Sequence, residues 1–202
     1  MPSDLADIIA SDRNSLAWHA QNGSLWVFGY GSLMWDPGFQ PAERIVARLD
    51  GWHRSFCMRS IHYRGTPERP GLVLALDEAP GASCAGVAFR VAEGQEADVH
   101  AYLTARELIS DAYLEKVLPI VLNDGREVEA VCYVIDHAHP QYVAGLSLRE
   151  QADIIAGAAG LTGTNADYLW NTTRHLADEG LADSELEWLA AEVRALKGGG
   201  AK

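Results

Sequence analysis

Apolar positions along the chain follow first a period of two and later a period near 3.6. "SLWVFGYG" (residues 24–31) reads as a strand. "ERIVARLDGWHRSFCMRS" (43–60) sets Val, Ile and Phe at alternating places, as extended chain does. "GLVLALDE" and "CAGVAFRV" are two short apolar runs with "RPG" and "APGAS" turn signals before them, which predicts two separate strands. "EGQEADVHAYLTARE" (93–107) changes period: Val99, Tyr102 and Leu103 stand at i, i+3 and i+4, a helical face. In "YLEKVLPIVLNDGREVEAVCYVID" the pair Asp124-Gly125 parts two β-rich runs, a hairpin signal. Beyond "HAHPQY" three helices are predicted, over "SLREQADIIAGAAG", "TNADYLWNTTRHLADEG" and "SELEWLAAEVRALK", with Ser184 and Glu187 forming a capping box on the last.

Strands in the middle with helices inside and after them predict an α+β fold, and closely spaced mixed strands predict a sheet that curls into a small twisted β-barrel. The expected organisation is an N-terminal helical arm over 1–23, one domain over 24–197, and a flexible tail over 198–202.

Composition narrows the function. The 202 residues carry 28 acidic and 16 basic side chains, a net charge of −12. That opposes contact with nucleic-acid phosphate and with anionic membranes, so neither partner is expected. Six of the acids (Asp178, Glu179, Asp183, Glu185, Glu187 and Glu192) crowd the last helices and read as a solvated face. Cys57, Cys84 and Cys132 are scattered within apolar runs, the pattern of buried inert thiols rather than of a disulfide framework. The first residues lack a continuous apolar stretch, which predicts no signal peptide, and a cytoplasmic location is expected.

Three features bear on chemistry. Gly29 and Gly31 sit close together where a strand ends. Met34 fills the place of the third glycine in a dinucleotide fingerprint, and Tyr30 and Met34 replace the flanking glycines of a nucleophile elbow. Two readings stay open: a bulge that bends the strand, or a nest of N–H groups that holds an anion. Glu107 lies eight residues after Val99 and extends its helical face; inward, its carboxyl would be desolvated into a base for neutral pH, and at a frayed end it would turn to water. His137 and His139 flank one residue beside Asp136, which turn chemistry explains without a metal, and no metal or other cofactor is expected. His53, His62, His100 and His175 stand isolated.

Several blocks taken in order carry a resemblance. "WVFGYGSLMWDPGF", "HYRGTPERPGLVLAL", "YLTARELISDAYLEKVLPIVL", "DHAHPQY" and "GTNADYL" resemble the signature blocks of the ChaC-type γ-glutamylcyclotransferases. The resemblance spans roughly residues 24–197. It implies a γ-glutamylcyclotransferase-like barrel with flanking helices, extra C-terminal helices, and glutathione as the small-molecule substrate. It implies that the loop Val27, Phe28, Gly29, Tyr30, Gly31, Ser32 and Leu33 binds the γ-glutamyl part and that Glu107 is the catalytic acid/base. Tyr113, Tyr142 and Tyr168 are further pocket candidates. The reaction so implied yields 5-oxoproline and Cys-Gly. Two rivals remain: a cyclotransferase for other γ-glutamyl amides, and a non-catalytic module with this fold.

Overall fold

The computed structural model describes residues 23–108 and 111–199, so the predicted N-terminal arm lies almost wholly outside the described residues, as do positions 200–202 of the tail. Five strands form a closed barrel in the order β1-β3-β2-β4-β5. They are β1 (Trp26–Gly29), β2 (Glu43–Ser60), β3 (Gly71–Arg90), β4 (Tyr113–Leu122) and β5 (Glu127–Ile135). Closure is mixed: β1 runs antiparallel to β3 with Trp26 opposite Arg90, and parallel to β5 with Val27 opposite Val131. The expected α+β architecture with a small mixed barrel is what the chain adopts.

One prediction is corrected here. The two apolar runs read as separate strands are the two ends of β3, which passes straight through "APGAS". Gly81 takes φ 85° within it, and Gly51 takes φ 84° within β2. A glycine in that conformation bends a long strand without ending it, and a curling barrel needs such bends.

The chain divides into two compact units, and it crosses from one to the other inside β2 and β3. The first holds the described residues through His53 together with Leu76–Asp136. Strands β1 and β5 are apolar on both faces. Trp26 and Phe28 of β1, with Ala130, Cys132 and Val134 of β5, belong to one core cluster; Leu25, Val27, Val131 and Tyr133, alternating with them, belong to a second. That second cluster is completed by Val99 and Leu103 of helix α1 (Glu96–Glu107), so α1 covers one flank of the barrel. Tyr102, predicted on the same face, is 39% exposed instead. Its hydroxyl lies against Gly38, where an added Cβ would come within 1.9 Å of it and where φ is +78°. The hairpin at Asp124-Gly125 forms as predicted, with Gly125 at φ 90°.

The second unit comprises Arg54–Ala75 and the described residues from His137 onward. Helices α2 (Leu148–Gly157), α3 (Asn165–Asp178) and α4 (Ser184–Gly199) pack on one another there. The first of them stops three residues before the predicted end, because Ala159–Gly160 and Gly163–Thr164 pair as short strands β6 and β7. Ser147 and Glu150 form a capping box on α2, and Thr164 caps α3 by accepting from the Asp167 N–H. On α4 the cap is Asp183, not Ser184: its Oδ1 accepts from the Leu186 N–H at 3.2 Å. Its Oδ2 meets the buried Arg54 guanidinium, also at 3.2 Å. Asp183 and Glu192, which pairs with Arg149, therefore leave the solvated acidic face predicted for them. The α4 helix carries through Gly199.

Candidate active site

Strand β1 ends at Gly29, and the chain turns at once into a single 3-10 turn, Ser32–Met34. Two short-range bonds close it: Met34 N–H donates to the Gly31 carbonyl and Asp36 N–H to the Ser32 carbonyl, both at 2.9 Å. Neither a simple bulge nor a nest alone describes the glycine pair. Gly29 is bare because the chain doubles back: a Cβ there would stand 3.1 Å from the Leu33 Cβ and 3.2 Å from the Phe89 ring. Gly31 is different. It is buried, yet a Cβ there would meet nothing within 4 Å, so the main chain borders unfilled space.

Of the seven predicted loop residues, four turn their side chains into packing. Phe28 and Tyr30 lie in the barrel cluster, and Val27 and Leu33 in the cluster beneath α1. Gly29, Gly31 and Ser32 belong to neither cluster.

Glu107 closes α1, and its side chain is only 18% exposed. Burial pushes its carboxyl above the ordinary carboxylate range, against the neighbouring Arg106 guanidinium, which pulls the other way. Nε of Arg106 stands 3.0 Å from Oε1 of Glu107. The same guanidinium reaches the strand end: Nη2 donates to Ser32 Oγ at 3.2 Å and Nη1 to the Asp36 carbonyl at 2.7 Å. Nη1 also meets the Tyr102 hydroxyl, one turn earlier on α1, at 3.0 Å. Arg106 thus ties the buried carboxyl to the glycine-containing loop through four groups. The residue reading did not single it out. Its signal was the Tyr102–Arg106 spacing of four, which by itself also describes any exposed helix pair.

The three candidate tyrosines separate. Tyr113 begins β4 and packs, half-buried, against the cluster beneath α1. Tyr142 and Tyr168 belong to the second unit. There Tyr142 stacks on His137 and bridges to Met58, while Tyr168 meets Phe56 edge-on beneath the Arg64 guanidinium. His139 Nδ1 accepts from the Gln141 N–H, as turn chemistry requires. The three thiols are buried as expected, and burial pushes the Cys132 thiol well above its usual value.

The closed mixed barrel with its flanking helices is the fold of the γ-glutamyl cyclotransferases. A solved yeast γ-glutamyl cyclotransferase specific to glutathione has the same fold, with a TM-score of 0.75 at 23% identity over 87% of this chain and all of that one. Residues 25–196 match the family model described as ChaC-like protein, and the chain belongs to that family. It is 39% identical to the glutathione-specific γ-glutamylcyclotransferase of Escherichia coli K12, over 93% of this chain and 80% of that protein. It is 35% identical to the protein of the same name from Schizosaccharomyces pombe, over 85% of this chain and 93% of that one.

Proposed function

We infer that this protein is a γ-glutamylcyclotransferase that degrades glutathione, a lyase-type amide cleavage yielding 5-oxoproline and Cys-Gly. The observation that carries the mechanism is the buried Glu107 carboxyl, joined through Arg106 to Ser32 in the loop that follows β1. The relatives' names support the substrate.

The chemistry asks little beyond position and one mobile proton. The α-ammonium of the γ-glutamyl unit gives a proton to Glu107 and becomes a nucleophile. It attacks its own γ-carbonyl, a C–N bond forms, and charge gathers on the carbonyl oxygen. The bond to the cysteine nitrogen then breaks as Glu107 returns the proton to that nitrogen. The attacking nitrogen loses two protons and the leaving nitrogen gains two. One carboxyl cycling between its two states suffices, provided its pKa lies near the working pH.

Holding the γ-glutamyl chain bent brings nucleophile and carbonyl together, an effect worth up to roughly 7 kcal/mol or more. The unfilled space beside Gly31 is where we place that chain, its carboxylate or oxyanion received by N–H groups of the loop. Among the described residues no helix is long and apolar enough to cross a membrane. Three free buried thiols and an acidic surface suit a reducing cytoplasm.

Purified protein incubated with glutathione should release 5-oxoproline and Cys-Gly in equal amounts, and Glu107→Gln should remove the activity. Turnover of γ-glutamyl amino acids with glutathione inert would move the substrate assignment to other γ-glutamyl amides. No turnover of any γ-glutamyl compound would leave a binding module.

A further inference from the structure

Arg106 and Glu107 are neighbours in sequence, and neighbours on a helix point away from one another. Their side chains nevertheless meet, Nε to Oε1 at 3.0 Å. Two contacts draw the guanidinium into that place. Nη1 donates to the Tyr102 hydroxyl at 3.0 Å, one turn back along α1, and to the Asp36 carbonyl at 2.7 Å. Nη2 donates to Ser32 Oγ at 3.2 Å. A guanidinium is flat and its N–H groups are fixed relative to one another, so holding Nη1 on two acceptors also sets the directions of Nε and Nη2.

Tyr102 differs from the other apolar positions of its helical face. At 39% exposed it lies outside the core cluster that Val99 and Leu103 join, so burial does not account for a tyrosine there. The end of its ring rests instead on the backbone of Gly38. A Cβ at that position would overlap the hydroxyl and the ring, and φ there is +78°. The chain after β1 is thus seated on α1 twice, with the Asp36 carbonyl on Arg106 and Gly38 on Tyr102. The Asp36 N–H in turn donates to the Ser32 carbonyl at 2.9 Å, which links that seat to the turn holding Ser32. We propose that Tyr102 is a positioning residue for the cyclisation: seated on Gly38, its hydroxyl fixes the Arg106 guanidinium, and through it the relative places of Glu107 and Ser32. The proposal rests on the reading of Glu107 as the proton carrier.

The test is a double-mutant cycle on kcat and KM for glutathione in the full chain, with thermal melting alongside. Tyr102→Phe keeps the ring and removes only the hydroxyl. It should lower kcat by about tenfold with KM and melting temperature little changed, because small misplacements at a reacting centre cost rate. Gly38→Ala, which drives a methyl group into the hydroxyl, should lower kcat in the same way; unaltered kcat there overturns the proposal. Arg106→Gln should lower kcat further, and adding Tyr102→Phe to it should cost less than about twofold more, since no guanidinium is left to hold. Should Arg106→Gln fail to fold or fall below detection, Arg106→Lys, which keeps the charge without the fork, becomes the background and the same comparison decides. A purely structural role lowers the melting temperature and makes the two losses multiply. Multiplying losses, or wild-type kcat in Tyr102→Phe, with Glu107→Gln inactive, overturn this proposal alone. Activity retained in Glu107→Gln overturns the reading beneath it and the proposal together.

Discussion

Glu107 is costly where it stands. Burial raises its pKa in the folded chain above the unfolded value, so the stability it forfeits is absent at acid pH and grows as pH rises through the folded pKa. Glu107→Gln should therefore raise the melting temperature at pH 7 while removing turnover, and the gain should vanish below about pH 4, where wild type is also neutral. Arg106 acts oppositely, because its charge favours the carboxylate. Arg106→Gln should move the acidic limb of kcat/KM upward and weaken the tether to Ser32; a limb that stays in place would show that the guanidinium does not act on Glu107. The two glycines should also part company. Gly29→Ala forces Leu33 and Phe89 to give way and should lower stability by about 1 kcal/mol. Gly31→Ala meets no protein atom and should leave the melting curve alone, yet raise KM by intruding on the substrate's space. Residue spacing singled out Glu107 and the glycines but left their roles open, and the family resemblance supplied them. Spacing could not reveal the Tyr133–Glu115 hydrogen bond, which exists only through the β4–β5 register, nor the contact of His100 with Glu115; His100 read as isolated until α1 was laid over those strands.

At the scale of elements, β2 could be drawn from alternation to the residue and the end of α1 from its i, i+3, i+4 pattern, although the helix starts at Glu96, three residues into the stretch that changes period. The division of β3 was misread because Pro and Gly usually end strands, whereas here Gly81 bends one. The cap of α4 moved one residue because Asp183 also neutralises Arg54, a demand invisible to local spacing. Asn165 opens α3 under a similar demand. Fully buried, its side chain accepts from the Leu72 N–H at 2.6 Å and donates to the Leu72 carbonyl at 2.7 Å. Asn165→Ala would orphan a buried donor and a buried acceptor, and urea titration should show a loss of about 2–4 kcal/mol. A loss under 0.5 kcal/mol would mean that water replaces both bonds.

For the whole molecule, the described residues form two compact units, and the chain passes from one to the other within β2 and β3. Nothing in composition marks such a crossing, since no linker is present. Helix α1 and the loop after β1 lie together in the first unit, where Glu107 and Ser32 share one arginine. The central claim is that this carboxyl moves the proton in glutathione cyclisation. Its most direct test is the rate of 5-oxoproline formation from glutathione by wild type and by Glu107→Gln at equal folded concentration. We predict turnover in wild type and a loss of at least about a hundredfold in the variant; equal rates in the two would contradict the account.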